Sequence, residues 1–282
     1  MLKLSFLSMV YQRYSLERAF HDADRMGFNG IEVWGARPHA YVYDCDDRLI
    51  NQINQWKETY NLEIAAYTPE NCVYPYSLCS QSEKERIDTI EYYKEALNIA
   101  AQIGAPLIQI TPGDPGYEGN EADDWKHLCE TLAPVCEYAE KVGVDVVMET
   151  LTPMESLILT RADDLARLIK DVPSPRLLGM LDMVNPVFMK ESFENYFDRL
   201  GEKMGHIHVT DSDGTTYAHL PIGEGIIAFE PAIQLFERRG YQRYCSIELS
   251  GCIEDPENYM QLSINRLRKI MENAGVKQTS RN

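Results

Sequence analysis

The stretch Val144–Glu155, VDVVMETLTPME, decides how the chain is read. Val144, Val146, Val147 and Met148 make a short apolar run, rich in β-branched residues, of the kind a parallel sheet buries on both faces. The run ends on Glu149. An unpaired carboxylate in such surroundings is strongly disfavoured, so Glu149 must reach water, meet a cation or bind a metal. Thr152 and Pro153 then break the strand, and a second acid, Glu155, follows.

Working outward, seven further apolar runs read as strands: Leu2 to Met9, Gly30 to Trp34, Glu63 to Thr68, Pro106 to Thr111, Leu177 to Met183, His206 to Asp211 and Tyr244 to Leu249. Helical patterns fill the intervals. Residues 16–26 and 46–60 form two, and Ser82 with Glu85 reads as a capping box opening a helix that turns Ile87, Ile90, Leu97 and Ala101 inward and stops at Gly104. Residues 121–142 place Trp125, Leu128, Leu132, Val135 and Ala139 on one face, and Pro134 within them predicts a kink or break. A helix from about Thr160 with Asp163 as a partial capping box, and helices over about 191–200, 228–239 and 257–274, complete the series. Eight strand–helix units without a composition break predict a single-domain (β/α)8 TIM barrel over residues 1–277, followed by a frayed polar tail at 278–282. A doubly wound open sheet is the alternative, but no GxGxxG phosphate loop follows the first strand.

Composition narrows the function. The 282 residues are 44% hydrophobic and 25% charged, with a formal net charge of -17. So acidic a chain offers no basic face to nucleic acid or an anionic membrane, and it disfavours a highly phosphorylated substrate. The opening apolar run is interrupted by Tyr11, Gln12 and Arg13, which does not suit a signal peptide, and no later run approaches the roughly 18 apolar residues of a membrane span. The seven cysteines contain no CxxC pair, and Cys129 and Cys136 read as small core residues, so a reduced, cytoplasmic setting is expected.

The ends of strands five to eight carry Glu149, Asp182, His208 and Glu248, each after an apolar run at nearly the same depth. In a barrel all four would converge on one side of the mouth. Three carboxylates and an imidazole form a divalent-cation ligand set; oxygen in excess and no thiolate favour Mn²⁺, Mg²⁺ or Co²⁺ over structural Zn²⁺. Any one such acid reads as a helix cap or a solvated turn; four in phase do not. His206 shares the face of His208, so spacing alone leaves open which histidine binds, and Asp211 is a candidate to orient one of them.

These motifs carry a resemblance over nearly the whole chain. GIEVWGARPHA (30–40), YTPEN (67–71), METLTPMES (148–156), LDM (181–183), HIHVTDSDG (206–214), PIGEG (221–225) and SIEL (246–249) occur in the order found in the sugar isomerase/epimerase group of xylose-isomerase-like TIM barrels. Within that group the chain resembles the ketose 3-epimerases, above all the fructoselysine 3-epimerase branch. The resemblance implies that Glu149, Asp182, His208 and Glu248 hold a divalent metal, Mn²⁺ foremost with Mg²⁺, Co²⁺ or Zn²⁺ as substitutes, that Glu149 and Glu248 are the acid–base pair, and that Glu155 contacts substrate. Free-ketose epimerases carry a histidine and an arginine where this chain has Asn185 and Gly214, so an unmodified hexulose lacks two expected donors.

The chemistry follows from the residues. A proton beside a ketone is weakly acidic, and a cation bridging the carbonyl oxygen and the adjacent hydroxyl would stabilise a cis-enediolate. Inverting that carbon needs bases on both faces, and strands five and eight lie across the mouth from one another. Trp34 and Tyr67 are candidates to stack on sugar, as is Trp125; Gln109 can donate to a hydroxyl, and His39 and Asn185 are further candidate substrate contacts. Glu32 and Glu70 add negative charge that would suit an amine-bearing substrate. The sequence predicts a metal-dependent epimerase at carbon 3 of a ketose or ketosamine, with a small sugar or sugar-amine as its partner and room for a homo-oligomer. The alternatives are a free-ketose 3-epimerase, an aldose–ketose or hydroxypyruvate isomerase, a subunit of a carbon-glycoside-cleaving lyase, and a non-catalytic sugar-binding barrel.

Overall fold

In the computed structural model, which describes residues 1–281, eight parallel strands follow one another around a barrel: β1 (Lys3–Phe6), β2 (Gly30–Gly35), β3 (Glu63–Pro69), β4 (Leu107–Ile110), β5 (Asp145–Met148), β6 (Leu177–Asp182), β7 (Met204–Val209) and β8 (Tyr244–Ile247). Each strand from β2 onward pairs with its successor, and β8 pairs with β1. Between β1 and β2 the ring is closed by the Asn29 N–H donating to the Leu4 carbonyl and by a parallel bridge from Leu7 to Glu32. Outside the strands lie α1 (Leu16–Arg25), α2 (Asp47–Thr59), α3 (Glu83–Ile103), α4 (Glu121–Val142), α5 (Ala162–Asp171), α6 (Val184–Met189), α7 (Phe193–Leu200), α8 (Phe229–Arg238) and α9 (Pro256–Asn273). The expected (β/α)8 barrel is the architecture.

Two apolar layers hold it. Ala66, Leu107, Val147, Leu178 and Met180 form a small cluster of their own, while the larger core packs the other strand faces against the helices. Helix starts follow side-chain caps: Ser15, Asp46, Ser82, Asn120 and Ser192 each accept the backbone N–H three residues on.

Several local expectations are corrected. Strand β1 stops at Phe6, and Ser8–Tyr11 winds into a 3-10 turn. In α3, Ile87 is 52% exposed and Ala101 also faces solvent, because the buried stripe includes Tyr92 and Tyr93, which a count of aliphatic residues overlooks. Pro134 leaves α4 unbroken, since the burial of Leu128, Leu132, Val135 and Ala139 on either side outweighs one missing hydrogen bond. At the start of α5 the carboxylate that reaches back is Asp164, not Asp163; it accepts the N–H groups of Thr160 and Arg161. The tail is not frayed over its described residues: Lys277 and Thr279 hydrogen-bond the backbone of Leu2, and Arg281 pairs with Asp24. Asn282 lies outside the described residues.

Candidate metal centre and sugar site

Strand β5 hands the chain to Glu149, whose backbone N–H still donates to Ile110 on β4, so this side chain is fixed at the carboxyl end of the barrel. Asp182 closes β6, His208 lies in β7, and Glu248 follows β8 with its N–H on the Val209 carbonyl. One ligand atom from each of these four residues lies within 4.8 Å of all the others. Ligands about 2.1–2.4 Å from one cation are necessarily within roughly 4.8 Å of each other, so the spacing fits a single ion.

Electrostatics agree with that fit. His208 Nδ1 sits 2.6 Å from Glu248 Oε2, 3.8 Å from Glu149 and 4.0 Å from Asp182. Despite the short approach, His208 Nδ1 and Glu248 Oε2 lack hydrogen-bond geometry, and both are buried polar atoms without a hydrogen-bond partner. Orphaned donors and acceptors aimed at one point are costly unless something binds there. Among the described residues no lysine or arginine pairs with the three acids; the only basic side chains that face them are imidazoles. Burial, with Asp182 and Glu248 adding repulsion, pushes the Glu149 carboxyl well above the ordinary carboxylate range. Asp182 is held below its ordinary value: burial opposes this, but His219 at 3.2 Å and the Val184 N–H at 2.7 Å favour the anion. A divalent cation would neutralise most of this charge.

Behind the cluster lies a fourth carboxylate. Glu32, fully buried on β2, accepts Thr68 Oγ1 (2.6 Å) and faces His208 Nε2 (3.1 Å) through one oxygen, while its other oxygen meets His206 Nε2 (2.8 Å). Burial opposes its ionisation, yet the two imidazoles hold the Glu32 carboxyl well below its ordinary range. Fixing Nε2 of His208 toward Glu32 leaves Nδ1 as the atom that faces the four-residue cluster. This geometry separates the two histidines that spacing could not: His208 faces the four-residue cluster, and His206 belongs to a buried group with Glu32 and His208.

The remaining expected contacts divide. Gln109 donates to Glu149 Oε2 and so orients a proposed base. Glu155 uses one oxygen for both Thr152 donors, N–H and Oγ1, and burial raises its carboxyl above the ordinary value. Asn185 is buried beside Asp182, donating to the Thr160 carbonyl and Tyr196 hydroxyl, with its Oδ1 unpartnered. Trp34 is nearly buried and its indole N–H donates to Glu70. Tyr67 is not at the mouth surface; its ring is wholly buried and its hydroxyl donates to the Ala40 carbonyl. His39 is tied by Ser8 Oγ and the carbonyls of Tyr11 and Tyr14, so its ring braces the β2 loop. Trp125 pairs with Asp171 on the helical layer. Asp211 touches neither histidine: it accepts the N–H groups of Ser212, Gly223, Gly225 and Ile227 and pins the loop after β7. Glu70, rather than adding free charge, is spent on Trp34 and on the N–H groups of Cys72 and Val73.

Sequence reasoning missed His219. Its Nε2 lies 3.2 Å from Asp182 and 3.3 Å from Glu248; burial opposes its protonation, but those two acids push its pKa up to about 10. The available signal was that three of the six histidines fall within residues 206–219.

Comparison with known proteins agrees with this architecture. A family model described as xylose isomerase-like TIM barrel matches residues 20–270. Fructoselysine 3-epimerase of Escherichia coli O157:H7 is 36% identical over 271 residues, covering 96% of this chain and 98% of that protein. L-ribulose-5-phosphate 3-epimerase UlaE of Escherichia coli (strain K12) is 24% identical, covering 90% and 89%. Among solved structures, a D-tagatose 3-epimerase-like protein superposes with a TM-score of 0.84 at 20% identity, covering 97% of this chain and 98% of that one. The chain belongs to the xylose isomerase-like TIM barrel family.

Proposed function

We propose that this protein is a divalent-cation-dependent 3-epimerase acting on a ketose or ketosamine, with fructoselysine and its 3-epimer as the leading substrate pair. One observation carries the reading: two glutamates from β5 and β8 meet in a buried cluster whose four donor atoms are spaced for one cation. The relative named fructoselysine 3-epimerase, matched over almost its whole length, supports the substrate class.

Glu149, Asp182, His208 and Glu248 would hold the cation, Mn²⁺ foremost, which when bound supplies Lewis-acid polarisation of the ketone and charge for the enediolate that follows loss of the C3 proton. The chain's own groups do the proton handling. Glu149 and Glu248 come from strand ends separated by β6 and β7 and approach the site from two directions, so one can take the C3 proton while the other delivers a proton to the opposite face. Gln109 holds Glu149 in place through its Oε2. Glu149 is buried and the Glu248 side chain is only 12% exposed, which limits the water that competes for the proton.

Replacing Glu149 or Glu248 with Gln removes one of the two bases and should each lower epimerisation at least a thousandfold while thermal unfolding and solution fold are retained. Full activity in either variant, measured as 3-epimer formed from fructoselysine, removes that residue from the pair. An aldose–ketose isomerase would yield an aldose in the same assay.

A further inference from the structure

We propose that a cavity beside Glu155 is a subsite for the tail of an amine-substituted ketose, a short methylene chain ending in an ammonium group. This inference rests on the epimerase reading of the barrel mouth. The cavity has a volume of about 470 Å³ and is walled by the loops after β3, β4 and β5 and by Glu85 in the first turn of α3, with Tyr217 contributed by the loop after β7. It adjoins the cation cluster: Glu155 and Leu151 line it from the segment after Glu149, and Thr111 lines it immediately after the residue that receives the Glu149 N–H.

Its walls have two chemistries. Val73 (79% exposed), Met154 (57%) and Tyr217 (50%) present apolar surface that water covers poorly and a methylene chain would cover well. Glu85, Asp114 and Glu155 supply carboxylates, and among the described residues no lysine, arginine or histidine lines the cavity. Each acid spends one oxygen locally, on Ser80 Oγ, the Gly116 N–H and the Thr152 donors respectively. The other oxygen of each has no hydrogen-bond partner among the described residues. Apolar walls with carboxylates select an aminoalkyl chain and repel a phosphate, in contrast to the substrate that names the L-ribulose-5-phosphate relative.

The subsite is built in advance. Ser156 Oγ donates to the Gly113 carbonyl (2.6 Å), and the Leu78 N–H donates to the Pro112 carbonyl, so the loops after β3, β4 and β5 are joined. Gly113 holds φ +76, and a Cβ there would come within 2.5 Å of Ser77, which keeps the first two walls in close contact.

The test compares C3 epimerisation, at low salt with the cation-loaded protein, of fructose and three ketosamines: fructosyl-cadaverine, fructosyl-butylamine and fructosyl-aminohexanoate, whose tails end in ammonium, methyl and carboxylate. The expected order of kcat/KM is cadaverine, butylamine, aminohexanoate, with roughly tenfold between the extremes for partly exposed charges. The double variant Glu85→Gln, Asp114→Asn should flatten that order chiefly through KM, with an unfolding temperature matching wild type. Equal kcat/KM for the three tails, or an order unchanged in the double variant, overturns the subsite while leaving the epimerase reading intact. Failure of C3 exchange with all four compounds and with fructoselysine overturns the epimerase reading, and the subsite with it.

Discussion

A single buried carboxylate, Glu32, shows how one side chain can decide the chemistry of another. It accepts from Thr68 and two imidazoles at once, and in doing so it turns Nδ1 of His208 toward the cation cluster. In Glu32→Gln the carboxylate charge that holds the Nε2–H of His208 is lost, and the amide oxygen can serve only one of the two imidazoles, so the hold on the His208 ring is weakened. Titration calorimetry with Mn²⁺ should then show affinity lower by roughly 10- to 100-fold. Unchanged affinity contradicts the assignment of Glu32 as a positioning residue. His39 gives the pH prediction. Burial pulls its imidazole below the ordinary 6.5, so the folded state resists a proton that the unfolded chain accepts. The unfolded state therefore binds more protons below about pH 6.5, and stability is lost as pH falls through that range and regained above it. Urea unfolding between pH 7.5 and 5.5 should show a decline that His39→Gln reduces by roughly 1 kcal/mol per pH unit; an identical decline in both proteins removes His39 as its source. Glu149, Asp182, His208 and Glu248 were legible because each interrupts an apolar strand end. The same signal existed at Glu32, inside GIEVW, where it reads as mere surface charge until its two histidine partners are seen in space.

At the scale of elements, the loop after β7 is the part of the site that sequence pattern conveys least. Four backbone N–H groups converge on Asp211, and Gly225 packs so tightly that a Cβ would approach Asp211 Oδ1 to 2.4 Å. Leu220 pairs with Asp211 through two backbone hydrogen bonds, and this places His219 over Asp182 and Glu248. Asp211→Asn weakens the anchor and should cost about 2 kcal/mol of stability, with a matching drop in kcat/KM; wild-type stability in chemical unfolding would show the anchor to be dispensable. Alternating apolar runs reveal all eight strands, because period and burial depend on local sequence. The short helix α6 and the inward face of α3 were not readable in the same way. Asn185 and Pro186 mask the first, and buried tyrosines in the second replace the aliphatic residues on which periodicity relies.

Across the whole molecule, parallel topology brings the carboxyl ends of the strands to one mouth, and the net charge of -17 gives the protein an attractive field for cations. Raising ionic strength should therefore lower kcat/KM for an ammonium-bearing ketosamine roughly two- to threefold while leaving fructose nearly unaffected; equal salt dependence would remove the field from substrate selection. Among the described residues, no helix is long and apolar enough to cross a membrane. The barrel was legible as a repeat of eight units, whereas the pairing of distant side chains, such as Glu32 with His206 and His208, depends on closure of the ring. The central claim is that two glutamates exchange a proton across carbon 3. It is tested most directly by proton NMR of the Mg²⁺-loaded protein supplied with fructoselysine in D₂O. Deuterium at C3 together with a new 3-epimer is the predicted result, and exchange at C1 with aldose formation, or no exchange at all, would contradict it.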